Sequence, residues 1–166
     1  MALAPQAHAD ETAQSPYSVG FSIGNFDSDT DDSEDPHLND VSYSFLASVD
    51  LSRYIALDAE LMHIETTQGF DDFDEVTRFG AQGAAISARV QWPLAEDFKA
   101  YIRAGAVWLD LDEGAALRGE PLPSSVTQPA LGFGVRGNRW FLEYVYYGEV
   151  EDLHLEQLRG GLIYRF

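Results

Sequence analysis

Seven charged residues recur at alternate positions among apolar neighbours: Asp58, Glu60, Arg89, Arg103, Arg136, Glu143 and Arg159. Carboxylates and guanidinium groups on one face can act as general acids and bases, pass protons or ions, or neutralise one another as a structural network. The structural role is favoured, because a buried charge without a partner costs several kcal/mol. A second group is purely acidic. Asp27, Asp29, Asp31, Asp32, Glu34, Asp35 and Asp40 share one segment, and Asp71, Asp72, Asp74 and Glu75 another. The spacing Asp27-x-Asp29-x-Asp31 has the start of a calcium loop, since hard cations want clustered carboxylates. Its sixth position is Asp32 and not glycine, so the full pattern is not met. These segments read first as solvated hydrophilic loops, with loose binding of divalent cations as the alternative. Histidine adds little: His8, His37, His63 and His154 are scattered, and His154 with Glu156 lacks an evident nucleophile. Cysteine is absent, which removes thiolate chemistry and disulfides, and no cofactor is implied.

The charged face needs elements to hold it. Period-two alternation runs through most of the 166 residues, as strands with unlike faces require. The first strand, Tyr17 to Asn25, sets Tyr17, Val19, Phe21 and Ile23 against Ser18, Gly20, Ser22 and Gly24. The second, Val41 to Ser52, sets Tyr43, Phe45, Ala47 and Val49 against Ser42, Ser44, Ser48 and Asp50. The third begins near Tyr54 and opposes Ile55, Leu57 and Leu61 to Asp58 and Glu60. Five more follow, with Arg89, Arg103, Arg136, Glu143 and Arg159 on their polar faces, the last joined by Gln157, Gly161 and Arg165.

The connections alternate in length. Long ones are expected at 26–40, 67–77 and 110–125 and a medium one at 148–153. Short ones fall at Ser52-Arg53, Pro93 to Asp97 and the hairpin pair Gly137-Asn138. This is the pattern of an all-β chain: an eight-stranded antiparallel up-and-down barrel over residues 17–166, its long loops at one end. Residues 1–16 are expected to be a flexible N-terminal segment. Ala7-His8-Ala9 has the small-x-small form of a signal-peptidase site, so a signal-peptide remnant and a plain Ala-rich start both remain open.

A soluble barrel around a ligand shares period two, so the faces must decide. Half of the 10 basic residues fall on the polar faces, interleaved with acids. Aromatic residues segregate to strand ends. Tyr17, Tyr54, Trp92, Phe98, Trp140, Tyr164 and Phe166 mark one end, and Tyr43, Phe79, Trp108 and Tyr146 the other, with Ala, Val, Leu and Ile between. Two aromatic girdles around an aliphatic band belong to a barrel in a bilayer. No apolar run is long enough for a transmembrane helix, which says nothing against strands.

The last strand carries a family resemblance. Arg159, Gly161, Tyr164 and Phe166 occupy the four defined places of the β-signal of outer-membrane proteins, and the stretch from Phe141 to Gly148 precedes it. Together they resemble the end of the small OmpA/Opa-type β-barrel family. The resemblance is specific over residues 139–166 and architectural from about residue 17. It implies a bacterial outer-membrane location, outer-membrane lipid and lipopolysaccharide as surroundings, a monomer, and the barrel assembly machinery as the reader of those four residues. Barrels that deacylate lipid A use a Ser-His pair at the outer rim, and no His-x-Ser occurs here.

The charge balance, 28 acidic against 10 basic residues for a net of -18, repels phosphate backbones and excludes nucleic acid as a partner. The expectation is a non-enzymatic surface protein with a structural or interaction role, adhesion or masking, working through acidic loops. A lipid-modifying enzyme and a narrow ion channel are the alternatives. The loop pattern fixes a topology that can be read on intact cells. Cysteines placed at Ser33, Gly69, Gly119 and Glu151 should react with an impermeant thiol reagent while one at Asn138 stays silent. Labelling confined to Asn138 would mean the opposite orientation.

Overall fold

The computed structural model describes residues 15–30, 38–70, 76–117, 120–150 and 153–166. Most of the N-terminal segment, with Ala7-His8-Ala9, lies outside the described residues. So do Asp31, Asp32, Glu34, Asp35, Asp71, Asp72, Asp74 and Glu75.

In chain order the first five strands are β1 (Tyr17–Thr30), β2 (Leu38–Asp50), β3 (Ile55–Phe70), β4 (Val76–Ala95) and β5 (Phe98–Leu111). The short pair β6 (Ala116–Leu117) and β7 (Glu120–Pro121) follows, then β8 (Ser125–Arg136), β9 (Trp140–Val150) and β10 (Leu153–Arg165). The eight long strands form a closed antiparallel barrel. Sequence neighbours pair throughout, β5 takes β8 across the β6–β7 hairpin, and β1 closes on β10. The hairpin is tied to β4 through Arg78↔Ala116 and folds Ala115 and Leu122 onto the outer end of the core.

The strands run further outward than the alternation suggested. β1 continues to Thr30 and β3 to Phe70, so the connections expected at 26–40 and 67–77 shrink to 31–37 and 71–75. The reason lies in the change of face. On β1 the outward side passes from Phe21 and Ile23 to Asn25 and Asp27, while the inward side passes from Ser22 to Phe26. On β3 Leu57 and Leu61 give way outward to His63 and Glu65, and Asp58 and Glu60 give way inward to Met62 and Ile64. β4 and β5 make the same exchange, ending in Phe79 and Ala81 and in Val107, Leu109 and Leu111 inside. On β10, Leu153 and Leu155 lie inside above Gln157 and Arg159.

The barrel therefore has two storeys. The inner one is apolar outside and polar inside. On β10 its outward band runs nine residues from Leu158 to Phe166, the length a tilted membrane strand needs. The outer storey is polar outside and apolar inside, because water surrounds it and burial from water drives apolar side chains inward. Its core gathers Phe26, Ile64, Phe79, Leu109, Val145, Tyr147, Val150, Leu153 and Leu155. Phe79, expected in the outer aromatic girdle, is fully enclosed here and stacks on Phe26 at 5.7 Å. Tyr43, Trp108 and Tyr146 face outward at that level, and Tyr17, Tyr54, Trp92, Trp140, Tyr164 and Phe166 ring the inner end.

A dry outer storey makes a stability claim. Phe79→Ala should cost about 3–5 kcal/mol, as a large-to-small change in a packed core does. Urea titration of the barrel refolded in lipid vesicles would measure it, and a negligible effect would show this level to be filled by water.

Candidate functional site

Inward alternation brings the charged side chains of the inner storey together. At its centre stand Glu60 from β3, Arg103 from β5, Glu143 from β9 and Arg159 from β10, all buried. Arg159, only 1% exposed, donates from Nη1 to Glu60 Oε1 and, at 3.2 Å, to Ser44 Oγ. Its Nη2 donates to Glu60 Oε2 at 3.0 Å and to Glu143 Oε2 at 2.6 Å, and its Nε to the same Glu143 oxygen at 2.9 Å. Arg103 donates from both terminal nitrogens to Glu60 Oε2 at 3.0 Å. Its Nε lies 3.0 Å from Glu143 Oε1, an ion-pair distance without the direction of a hydrogen bond. Two positive and two negative charges meet in one place, so the centre is neutral.

Small residues clear the space. A Cβ on Gly24 would stand 2.6 Å from Arg159 Cβ, and one on Gly132 would stand 3.1 Å from Arg103 Cγ. Side chains there would displace the guanidinium stems.

A second cluster lies nearer the inner mouth. Arg89 Nη1 is 3.3 Å from Asp58 Oδ1 and its Nη2 is 3.6 Å from Asp50 Oδ1. Ser48 donates to Asp58 at 2.5 Å, and Arg165 Nη2 donates to Asp50 Oδ2 at 2.9 Å. The guanidinium of Arg89 lies 5.4 Å from the Tyr101 ring centre. Arg136 is buried as well, but its Nη1 has no hydrogen-bond partner. On the outer side of the central group, Tyr147 Oη donates to Gln157 Oε1 at 2.6 Å and Gln157 Nε2 to Ser42 Oγ at 2.5 Å, a neutral layer beneath the apolar core.

Six of the seven charged residues singled out in the sequence thus meet at ion-pair distance, and Arg136 stands apart from those pairs. Sequence reasoning set Asp50 on the polar face but named neither it nor Ser44, Ser48, Tyr101 and Gln157 among the seven residues of the network. Their signal was the same parity on the same strands, but parity does not say who reaches whom.

The four β-signal positions divide between two faces. Arg159 belongs to the central group. Gly161 lies opposite Phe141, whose ring would stand 2.5 Å from any Cβ placed there. Tyr164 and Phe166 point outward at the inner rim, in an edge-to-face pair at 5.4 Å. Of the acidic triplet, Asp27 and Asp29 sit on β1, and Asp31 is outside the described residues. Among the described residues no group of three or more His, Cys, Asp or Glu could hold a metal ion. His154 faces outward with its Nδ1 3.5 Å from the Tyr146 hydroxyl.

A closed ring of eight antiparallel strands, with an apolar outward band and an ion-paired bore, is a transmembrane β-barrel of the bacterial outer membrane. The model of the OmpA-like transmembrane domain matches residues 9–135, and the chain belongs to that family. The last two strands, which carried the resemblance in the sequence, lie beyond the match. No curated protein sequence matches the chain.

Solved structures agree on the fold. Neisserial surface protein A superposes with a TM-score of 0.63 at 16% identity, over 93% of this chain and 99% of that one. The attachment invasion locus protein Ail of Yersinia pestis, in complex with the heparin analogue sucrose octasulfate, gives 0.55 at 14% identity, over 89% and 97%. The outer-membrane protein AlkL, solved in lipid bilayers, gives 0.53 at 16% identity, over 100% and 97%.

The central group supplies a sharp test. Glu143→Ala leaves Arg103 and Arg159 short of a carboxylate and should cost about 3–5 kcal/mol, as broken buried pairs do. Glu34→Ala, in the first acidic segment, should change stability by no more than about 0.5 kcal/mol. Urea titrations in lipid vesicles would compare them, and equal small effects would mean that Glu143 is solvated.

Proposed function

We propose that this protein is a non-enzymatic, monomeric surface protein of the outer membrane with a structural or interaction role, adhesion or masking, exercised by its acidic outer end. The observation that carries this reading is the filling of the bore. Ion pairs occupy the inner storey, a packed apolar core occupies the outer one, and Ala115 and Leu122 cover its outer end. The void beside Arg89 and Tyr101 has about 10 Å³, room for about one water molecule. A filled bore supports an anchor over a conduit.

Outer-membrane lipid and lipopolysaccharide are the surroundings that the outward band fits. Arg159, Gly161, Tyr164 and Phe166 serve as the segment read by the barrel assembly machinery. Ail was solved with a polyanion analogue, but the net charge of -18 here makes a polyanion a poor ligand for this chain. Cationic surfaces, or anionic ones bridged by divalent cations, suit it better.

Expressed in a Gram-negative host, the wild-type barrel should promote adhesion to a polycation-coated surface. A variant with Asp31, Asp32 and Asp35 changed to Asn and Glu34 to Gln should lose most of that gain at equal surface yield. Equal adhesion by both would remove the loops from the function. Discrete conductance steps in planar bilayers would put the channel reading first.

A further inference from the structure

The last strand outruns one of its neighbours at the inner rim. β10 pairs with β9 as far as Leu162↔Trp140, but with β1 it continues to Ser18↔Arg165. Past Leu162 the Ile163 N–H donates to the Arg139 carbonyl at 2.9 Å, in the turn that joins β8 to β9. Residues 164–166 therefore overhang that turn, and an open cleft of about 500 Å³ lies between the two. Asn138 and Arg139 line it on the side of the turn, and Tyr164, Arg165 and Phe166 on the side of the overhang. A groove of about 420 Å³ adjoins it on the outward wall, and Arg139, Ile163 and Tyr164 line both. Register sets Val19 beside Tyr164, and Phe21 beside both Leu162 and Phe45. One short side chain thus sits among four long ones, each more than half exposed.

Arg139 is the one charged member of the groove. Among the described residues Arg53 and Arg139 are the exposed arginines, and both stand at the inner end of the barrel. Arg53 lies over the Tyr54 ring, 4.5 Å from its centre. Arg139 forms no ion pair with a described acid or with the Phe166 carboxylate. Asp97 accepts from Asn138 Nδ2 at 2.5 Å, and Arg165 donates to Asp50 in the mouth. Nothing in the argument needs Arg165. A guanidinium at the level of the inner aromatic girdle stands where lipid phosphates lie, and its planar fork of N–H donors matches a phosphate oxygen pair.

We infer that the inner rim holds one phospholipid in a fixed position, its phosphodiester in the cleft against Arg139 and one acyl chain along the groove over Val19. The join between the two spaces carries the assignment. A polar cleft that adjoins an apolar groove through a shared arginine fits a molecule with a phosphate at one end and a hydrocarbon chain at the other. This goes beyond the general contact of the outward band with lipid, because head and chain each meet named side chains. It does not depend on the function of the acidic outer end.

The test uses the whole barrel refolded in nonionic detergent and mixed with dioleoyl phosphatidylglycerol or with dioleoylglycerol, which has the same chains and no phosphate. Native mass spectrometry should find one phosphatidylglycerol retained by the wild type under activation that strips dioleoylglycerol. Arg139→Gln should lose that copy, and so should Val19→Trp, which fills the groove and leaves the arginine in place. Neither position belongs to the assembly segment, and unchanged heat-modifiable migration would show both variants folded. A readout without variants is a phosphatidylglycerol carrying a diazirine in one chain. Its adducts should concentrate on β1 and β10 around Phe21 and Leu162. Equal retention of the two lipids, an undiminished copy in either variant, or adducts spread evenly around the barrel would each overturn the site and leave ordinary lipid contact in its place.

Discussion

Inside a bilayer the hydrophobic effect cannot hold the two sides of a barrel wall apart, because lipid tails are as apolar as a leucine side chain. Turning Leu162 or Phe133 from lipid into the bore would gain almost nothing. What favours one sidedness is the polar interior: charged groups that would be ruinous against lipid find partners only across the bore. The Glu60–Arg103–Glu143–Arg159 group is that constraint. Around it Ser44 accepts a hydrogen bond from Arg159, Gly24 and Gly132 make room, and the Phe141 ring lies 5.9 Å from the Arg159 guanidinium.

The constraint lapses where the barrel leaves the bilayer. There the outside is water, burial is favourable again, and the interior turns apolar within two residues on β1 and β3. β1, β3, β4, β5 and β10 exchange faces at this level, and the layer of Tyr147, Gln157 and Ser42 marks the boundary by satisfying polar groups with no net charge. Arginine suits the inner storey better than lysine for a related reason. Its planar fork lets Arg159 serve two carboxylates and a serine at once, which three donors on a flexible stem would do less well.

The fold was legible because period two survives whatever surrounds a strand. Strand number, alternating connections and the inner girdle all follow from parity and turn residues, from Tyr17 to Phe166. Parity also placed Asp58, Glu60, Arg89, Arg103, Arg136, Glu143 and Arg159 on one side. The strand ends were not legible, for a physical reason. Where polarity changes faces, an alternating pattern reads as broken, so Phe26 looked like a loop residue and Phe79 like a girdle residue when both were the core of a second storey. Partner choice was hidden as well. Arg103 and Glu60 are 43 residues apart and Arg159 and Glu60 are 99 apart, distances that only barrel closure brings together.

Closure itself is uneven around the ring. β8 and β9 pair over six positions only, Leu131↔Tyr146 to Arg136↔Phe141, whereas β1 and β10 pair over thirteen. Beyond Leu131 the two strands part at Gly148, which adopts φ of 81°, and at Pro129, which has no N–H to donate. The Gln128 side chain bridges the parting by donating to the Glu149 carbonyl at 2.6 Å. This seam is the place where the wall has fewest backbone bonds, and the central ion group compensates there. Arg103 on β5 reaches over Gly132 of β8 to Glu143 on β9, so one side-chain contact ties together the two strands that flank β8. A side chain at Gly132 would block that reach. The charges that fill the bore therefore also fasten the wall at its weakest ladder, which is why removing Glu143 should loosen more than the pair it belongs to.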